Sequence, residues 1–439
     1  MKTKSSDGRA VFSWTLYDWA NSAFVTTVVA TVYPIYYTGV VSSHLPAHIA
    51  TSNWGLITAA ALVLVAGLGP VLGAMADFNG RKKRFLLLFV ALGVAATALL
   101  YFVRSGDVLM GALIFILAQL GFSGAIIFYD SLLPHIAPPE DIDRISSRGY
   151  AMGYAGGGLL LAVNLWMIQT APAGQVEHIT RLVFLTVAAW WLIFTLPLAF
   201  FVPEPARRVL PHELRYNPVQ ASLGRLRNTF SEIGKYRELS KFIFAFWLYN
   251  NGIGTIITMA TAYGTELGFA QTTLIGTLLM VQFVAIPFSL LFGWLAKRLG
   301  VKQSILLSIA IYSLIAIAGY FLTQEWHFWA LGFAVATVQG GSQALSRSLF
   351  GRLAPPSRSA EFFSFFSISE KIAGAAGPLV FALVGRWMGG SRLSIVSLIL
   401  FFIAGGLLLS RVNVEEGIRV AESEEAGLVS QAVPLAGAD

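Results

Sequence analysis

The stretch Leu16-Tyr17-Asp18-Trp19-Ala20-Asn21-Ser22-Ala23-Phe24 sets a carboxylate and an amide into the long apolar run from Val11 to Val41. On a helix, Tyr17 and Asn21 stand one turn apart, and Asp18 and Asn21 are also neighbours. A charge at the centre of a membrane helix costs about 2.5–3.5 kcal/mol on insertion scales, so Asp18 marks either function or a dedicated partner. The rest of the chain settles whether there is a membrane. Of its 439 residues, 56% are hydrophobic and 12% charged, with mean hydropathy +0.68. Soluble domains carry about 25% charged residues. The chain reads as an integral membrane protein.

Apolar runs of spanning length, about 20 residues each, fall at approximately 12–39, 54–76, 85–104, 108–133, 147–169, 181–202, 241–265, 271–296, 303–323, 326–350, 362–386 and 391–412. The expected fold is all-α, with twelve transmembrane helices in two pseudo-symmetric six-helix bundles. The polar stretch 203–240 divides an N-terminal bundle (1–202) from a C-terminal one (241–413) and reads as a cytoplasmic linker. Residues 414–439 read as a disordered acidic tail. With the N-terminus inside, 25 of the 30 basic residues fall on the cytoplasmic side. Only Arg104, Arg181, Arg386 and Arg392 fall outside, and Lys371 lies within a span. The positive-inside bias predicts cytoplasmic termini. This asymmetry accounts for the net charge of +7 without a nucleic-acid partner. Met1–Ala10 carries no separate apolar segment with a cleavage site, so no removable signal is expected. With no cysteine and six scattered histidines, disulfides, thiolate chemistry and a metal site are not expected, nor is a cofactor.

The halves repeat. Leu16-Tyr17-Asp18 matches Leu248-Tyr249-Asn250, and the same register pairs Thr26 with Thr258 and Ala30 with Ala262. Gly73, Gly80 and Lys82 match Gly293, Gly300 and Lys302; Ala137-Pro138-Pro139 matches Ala354-Pro355-Pro356. Internal repeats of this kind place a binding site between the halves. The register sets Asp130 against Arg347 near the same membrane face. Their pairing is a candidate inner gate; that each faces its own loop is the equal alternative. Gln339, Ser342, Gln343, Ser346 and Arg347 line one face of span 10 and suit the wall of an aqueous cavity. Asn250 and Asn251 mirror Asp18 in span 7, and Gln119 and Gln282 are weaker candidates. Glu370 and Lys371 lie inside span 11, about 100° apart around the helix. Lys371 is a candidate for a substrate carboxylate or for balancing Asp18; a structural ion pair is the alternative.

Gly73-Ala74-Met75-Ala76-Asp77-Phe78-Asn79-Gly80-Arg81-Lys82-Lys83-Arg84 falls in the turn between spans 2 and 3. It resembles the loop signature of the major facilitator superfamily of transporters. That resemblance implies that Asp77, with Arg81 beside it, acts near the start of span 11 to stabilise the outward-facing state. An acid at a helix N-terminus is physically sensible. The second copy has Lys297 in place of the acid, so the role is not expected there.

Four further stretches resemble a narrower family. They are Leu16–Phe24; Ser146-Ser147-Arg148-Gly149-Tyr150-Ala151-Met152-Gly153-Tyr154; Gly340-Gly341-Ser342-Gln343-Ala344-Leu345-Ser346-Arg347-Ser348; and Glu361-Phe362-Phe363 followed by Glu370-Lys371 and Gly377-Pro378. They are similar to the autophagy-linked vacuolar amino-acid effluxers of fungi and their bacterial relatives. The resemblance implies export of a neutral amino acid. Without long insertions, the chain reads as a bacterial inner-membrane member.

The sequence therefore predicts a monomeric secondary transporter that moves a small polar solute by alternating access, with only membrane lipids around it. Asp18 is the first candidate for proton coupling, because low dielectric favours the protonated carboxyl. Tyr17, Asn21, Asn250, Asn251, Gln339 and Gln343 are candidate substrate contacts. No nucleophile–base set points to an enzyme. A lipid or lysolipid flippase and a non-transporting sensor on the same bundle stand as alternatives.

Overall fold

A computed structural model describes residues 7–209, 220–221, 223–224, 227, 234–388, 391–431 and 433–434. Helices carry nearly all of them. The N-terminal half holds α1 (Gly8–Val41), α2 (Ala47–Asn79), α3 (Lys82–Leu99), α4 (Val108–Ile136), α5 (Ile142–Gln169) and α6 (Val176–Phe201). The C-terminal half holds α7 (Arg237–Glu266), α8 (Gln271–Leu299), α9 (Val301–Tyr320), α10 (Glu325–Leu353), α11 (Ser359–Met388) and α12 (Ser391–Ser410). Among the described residues, ten helices are long and apolar enough to cross a membrane by length and composition, and α10 and α11 are not among those ten. In α10 the polar face from Gln339 to Arg347 lowers the hydropathy.

Each half has its own apolar core. One is built on Trp14, Tyr17, Phe24, Phe128 and Trp191, the other on Phe246, Tyr249, Tyr312, Phe350 and Phe402. Between the halves, α5 packs on α8 and α10, and α11 packs on α2 and α4. In the N-terminal half, α1 lies along α5. Gly149, Gly153 and Gly157 face it, where an added Cβ would fall within 3.0 Å of Asp18, Ser22 or Thr26 atoms. The i, i+4, i+8 glycine stripe thus lets the two backbones approach.

One feature of α1 is not legible in the hydropathy pattern. The helix widens to π geometry over Phe24–Val32 and again over Tyr37–Val41. Val25, Thr26, Thr27, Val28 and Val29 are a β-branched run, which crowds a regular α-helical turn. The Thr31 hydroxyl donates to the carbonyl of Thr26, five residues back, at 2.7 Å.

The acidic tail is corrected by the structure. Val414–Gln431 is a helix, α13, and not a disordered segment. Gly417 and Ala421 are buried, and Val414, Ile418 and Val420 pack on the C-terminal core. Its acidic face finds partners in distant loops, described below.

Candidate functional site: a buried ion cluster between the halves

Arg347 is 3% exposed and reaches from α10 of one half into the other. Its Nη1 donates to Asp130 Oδ1 on α4 at 3.2 Å, and its Nη2 to Asp18 Oδ2 on α1 at 3.2 Å. Nε and Nη2 also donate to the hydroxyl and carbonyl of Ser146 on α5, each at 2.9 Å. The guanidinium stacks over Tyr150 at 4.4 Å and Trp14 at 4.9 Å. Such a fork of donors between planar partners is the chemistry in which Arg differs from Lys. Tyr129 donates to Asp18 Oδ2 at 2.7 Å. In the other half the residues equivalent to Tyr17 and Tyr129 are Tyr249 and Ser346, whose hydroxyls are hydrogen-bonded at 2.6 Å. The register that set Asp130 against Arg347 thus corresponds to a direct contact. Asp18 is held by Arg347.

Two further seams join the halves at the end of the bundle that carries the start of α1 and the α2–α3 turn, here called the basic end. In the first, Asp77 accepts from the backbone amides of Ala360 (3.3 Å) and Glu361 (2.8 Å) at the start of α11. It also pairs with Lys82 at 2.8 Å. Lys82 in turn donates to Ser359 Oγ (2.6 Å) and the Pro356 carbonyl (3.1 Å), and its Nζ lies 2.9 Å from His135 Nε2. A carboxylate on free helix-start amides satisfies donors and meets the positive end of the dipole. In the second seam, at the pseudo-equivalent place, Lys297 reaches Asp141 at the start of α5, at 3.1 Å. The sign is inverted and the site is open: Lys297 is 49% exposed, whereas Asp77 and Lys82 are 0% and 3%. Beside this second seam, Asp143 of α5 accepts from Ser348 (2.6 Å) and pairs with Arg352, both on α10.

Arg81, set beside Asp77 in the sequence, is exposed, and the residue that pairs with Asp77 is its buried neighbour Lys82. Gly80, at φ 61°, ends α2 in the left-handed conformation and redirects the chain so that residue 82 points inward. Lys83 is more than a surface anchor: its Nζ donates to the carbonyls of Ala199 and Val202 at the end of α6. Asp77→Ala is therefore expected to lower the thermal midpoint of the detergent-solubilised protein, losing about 0.5–2 kcal/mol as for a helix cap. Arg81→Ala should leave the midpoint unchanged.

The remaining candidates divide. Tyr17 is fully buried against Tyr129, ring centroids 4.7 Å apart, which makes it a wall of the ion cluster. Asn21, one turn above Asp18, is buried with no partner for Nδ2 among the described residues. Asn250 is buried; Asn251 spends its amide on the carbonyl of Trp247 in its own helix at 2.6 Å. Gln339 lines a cavity of about 130 Å³ in the C-terminal half with Thr255, Tyr263, Thr277, Gln282 and Val335. Gln343 and Glu370 are half-buried, and Glu370 is near enough to act electrostatically on Asp130 and Tyr150. The side chain of Lys371 lies outside the described residues. Ser146 and Tyr129 were missed; a serine and a tyrosine in apolar spans carry no charge signal. No group of three potential metal ligands occurs among the described residues.

Two pseudo-symmetric helical halves, joined through buried charges at one end, define a major facilitator superfamily transporter. Solved structures share the fold. The proton:xylose symporter XylE superposes with TM-score 0.72 over 95% of this chain and 98% of that one, at 16% identity. The human organic anion transporter MFSD10 gives 0.69 over 92% and 100%, at 13% identity. A bacterial ferroportin homologue in its outward-facing state gives 0.63 over 95% and 100%, at 15% identity.

Within that class the chain belongs to the family described as "Vacuole effluxer Atg22 like", whose model matches residues 40–422. The uncharacterized MFS-type transporter YxiO of Bacillus subtilis is 38% identical over 417 residues, 94% of this chain and 96% of that protein. Autophagy-related protein 22-1 of Aspergillus niger is 28% identical over 321 residues, 67% of this chain and 52% of that protein.

Proposed function

We propose that this transporter exports a neutral amino acid across a bacterial plasma membrane, with proton movement coupled through Asp18 and Asp130. The observation that carries the reading is the charge count at Arg347. Two carboxylates share one guanidinium in a buried seam, so the cluster is one proton short of neutrality. Buried charge in a membrane bundle marks ion and proton pathways. Parting the halves removes Arg347 from both acids at once, and a proton taken up then compensates the loss. The basic end is cytoplasmic, by the positive-inside rule, and the conformation with this end joined is the outward-facing one. The family's description as a vacuole effluxer supports export, and the amide-rich centre from Asn21 to Gln339 suits a zwitterion of no net charge.

The test is a substrate panel in proteoliposomes, with and without a pH gradient. Neutral amino acids should move, and the gradient should drive them uphill. Asp18→Asn is expected to abolish gradient-driven accumulation while retaining exchange of labelled for unlabelled substrate. Normal accumulation by Asp18→Asn, with unchanged pH dependence, would make Asp18 structural. A panel in which no neutral amino acid moves rejects the substrate class.

A further inference from the structure

The first seam continues beyond Asp77 and Lys82. Glu361, whose amide Asp77 holds, is fully buried, and its carboxylate accepts from Arg358 at 3.1–3.2 Å. Arg358 also faces Glu424 of α13 at 3.9 Å, and Glu424 pairs with Lys235 of the linker. One residue on, Glu425 accepts from both the backbone amide (2.8 Å) and the hydroxyl (2.7 Å) of Ser357. The tail helix thus grips both Ser357 and Arg358, the residues immediately before α11. At its other end, Gly417 sits against Leu353 at the end of α10, and Asn413 donates its amide to Glu238 of α7. The charged groups form one chain of contacts: Asp77, the α11 start with Glu361, Arg358, Glu424, Lys235.

Asp77 can hold α11 only if the helix start is presented at a fixed place. The loop before it, Ala354 to Arg358, is a short connection with a single 3₁₀ turn at Pro356–Arg358. We infer that α13 is a positioning element for the transport cycle: through Glu424 and Glu425 it fixes the start of α11 and so sets how firmly the basic end stays shut. This deepens the alternating-access reading and rests on it. Charge-assisted hydrogen bonds of this kind are roughly twice as strong as neutral ones, and several in a network act together. Loosening them shifts the balance toward the state open at the basic end.

The absence of cysteine makes the test clean. Ser364 is fully buried on α11 and faces Gly69 of α2 across the seam. Ser364→Cys therefore reports opening by its reaction with a membrane-impermeant maleimide applied from the basic end of the full-length protein in proteoliposomes. Glu424→Gln with Glu425→Gln is expected to raise the labelling rate about fivefold, and Asp77→Asn at least as much. Because both act through the α11 start, combining them should add nothing to Asp77→Asn alone. Glu424→Asp, which keeps the charge, should restore most of the parental protection. If the double glutamine variant does not fold, Lys235→Gln carries the test with the same expected direction. A tail variant that labels at the parental rate while Asp77→Asn labels faster overturns the inference alone. So does a combined variant whose effects multiply. If neither substrate nor Asp77→Asn ever exposes Ser364→Cys, alternating access through this seam fails, and the inference with it.

Discussion

Arg347→Met is expected to abolish flux, by a hundredfold or more, and to destabilise the protein by about 3–5 kcal/mol, the range for removing one member of a buried ion pair. The guanidinium makes four hydrogen bonds, to Asp18, Asp130, and the hydroxyl and carbonyl of Ser146. Without it, two acids remain in a seam where the Tyr129 hydroxyl is the strongest partner left to Asp18. The penalty is that of stranded charge, which predicts a compensation. Arg347→Met with both Asp18→Asn and Asp130→Asn should recover most of the thermal midpoint, yet remain inactive because nothing titrates in the seam. Proteoliposome flux and thermal unfolding in detergent measure the two effects separately. Flux within threefold of the parent in Arg347→Met would make the cluster a structural tie.

Gly149→Val is expected to disable the same cluster without touching a charge. A Cβ at residue 149 would lie 2.3 Å from Asp18 Oδ2, 2.9 Å from Arg347 Nη2 and 3.2 Å from the Trp14 ring. None of these can yield freely. Asp18 and Arg347 hold each other, and Trp14 is stacked on Tyr129 at 4.4 Å with its Nε1 bonded to the Tyr129 carbonyl. Overpacking of this kind costs about 1–3 kcal/mol, and here it also drives the carboxylate off the guanidinium. Flux should fall at least tenfold. Gly153→Ala meets the hydroxyl of Ser22, a smaller obstacle able to rotate, and should do less. Gly55→Ala, in open space on α2, serves as the control and should stay within about 0.5 kcal/mol of the parent. Equal flux from all three variants would refute the packing argument.

How far the sequence could lead depended on the kind of signal. Long apolar runs and a loop signature are local, and they placed the helices and the class. The pairing of Asp130 with Arg347 was legible because the internal repeat carries one half's coordinates onto the other. Choosing between Arg81 and Lys82 was not, because it turns on the left-handed Gly80 that rotates the chain by one residue. Asn251, beside the Asn250 that the register sets against Asp18, reads as a cavity amide in the sequence, but an amide can satisfy itself on its own helix, as it does at Trp247. The tail was misread for a related reason. Glu424 and Glu425 look like solvated acids until Ser357, Arg358 and Lys235 are brought beside them by the fold. Composition records a charge, and only topology supplies its partner.

The inverted pair of seams has a consequence for how the bundle responds to its surroundings. The Asp77 seam is dry, and mobile ions cannot reach it. The Lys297–Asp141 seam is wet, and exposed pairs of this sort contribute only about 0–1 kcal/mol. Between 0.1 M and 1 M salt the screening length falls from ~10 Å to ~3 Å. Ionic strength therefore loosens the edge formed by α5 and α8 while leaving the edge formed by α2 and α11 in place. The two pseudo-symmetric halves meet as unequal leaves of a door, one latched against salt and the other answering to it.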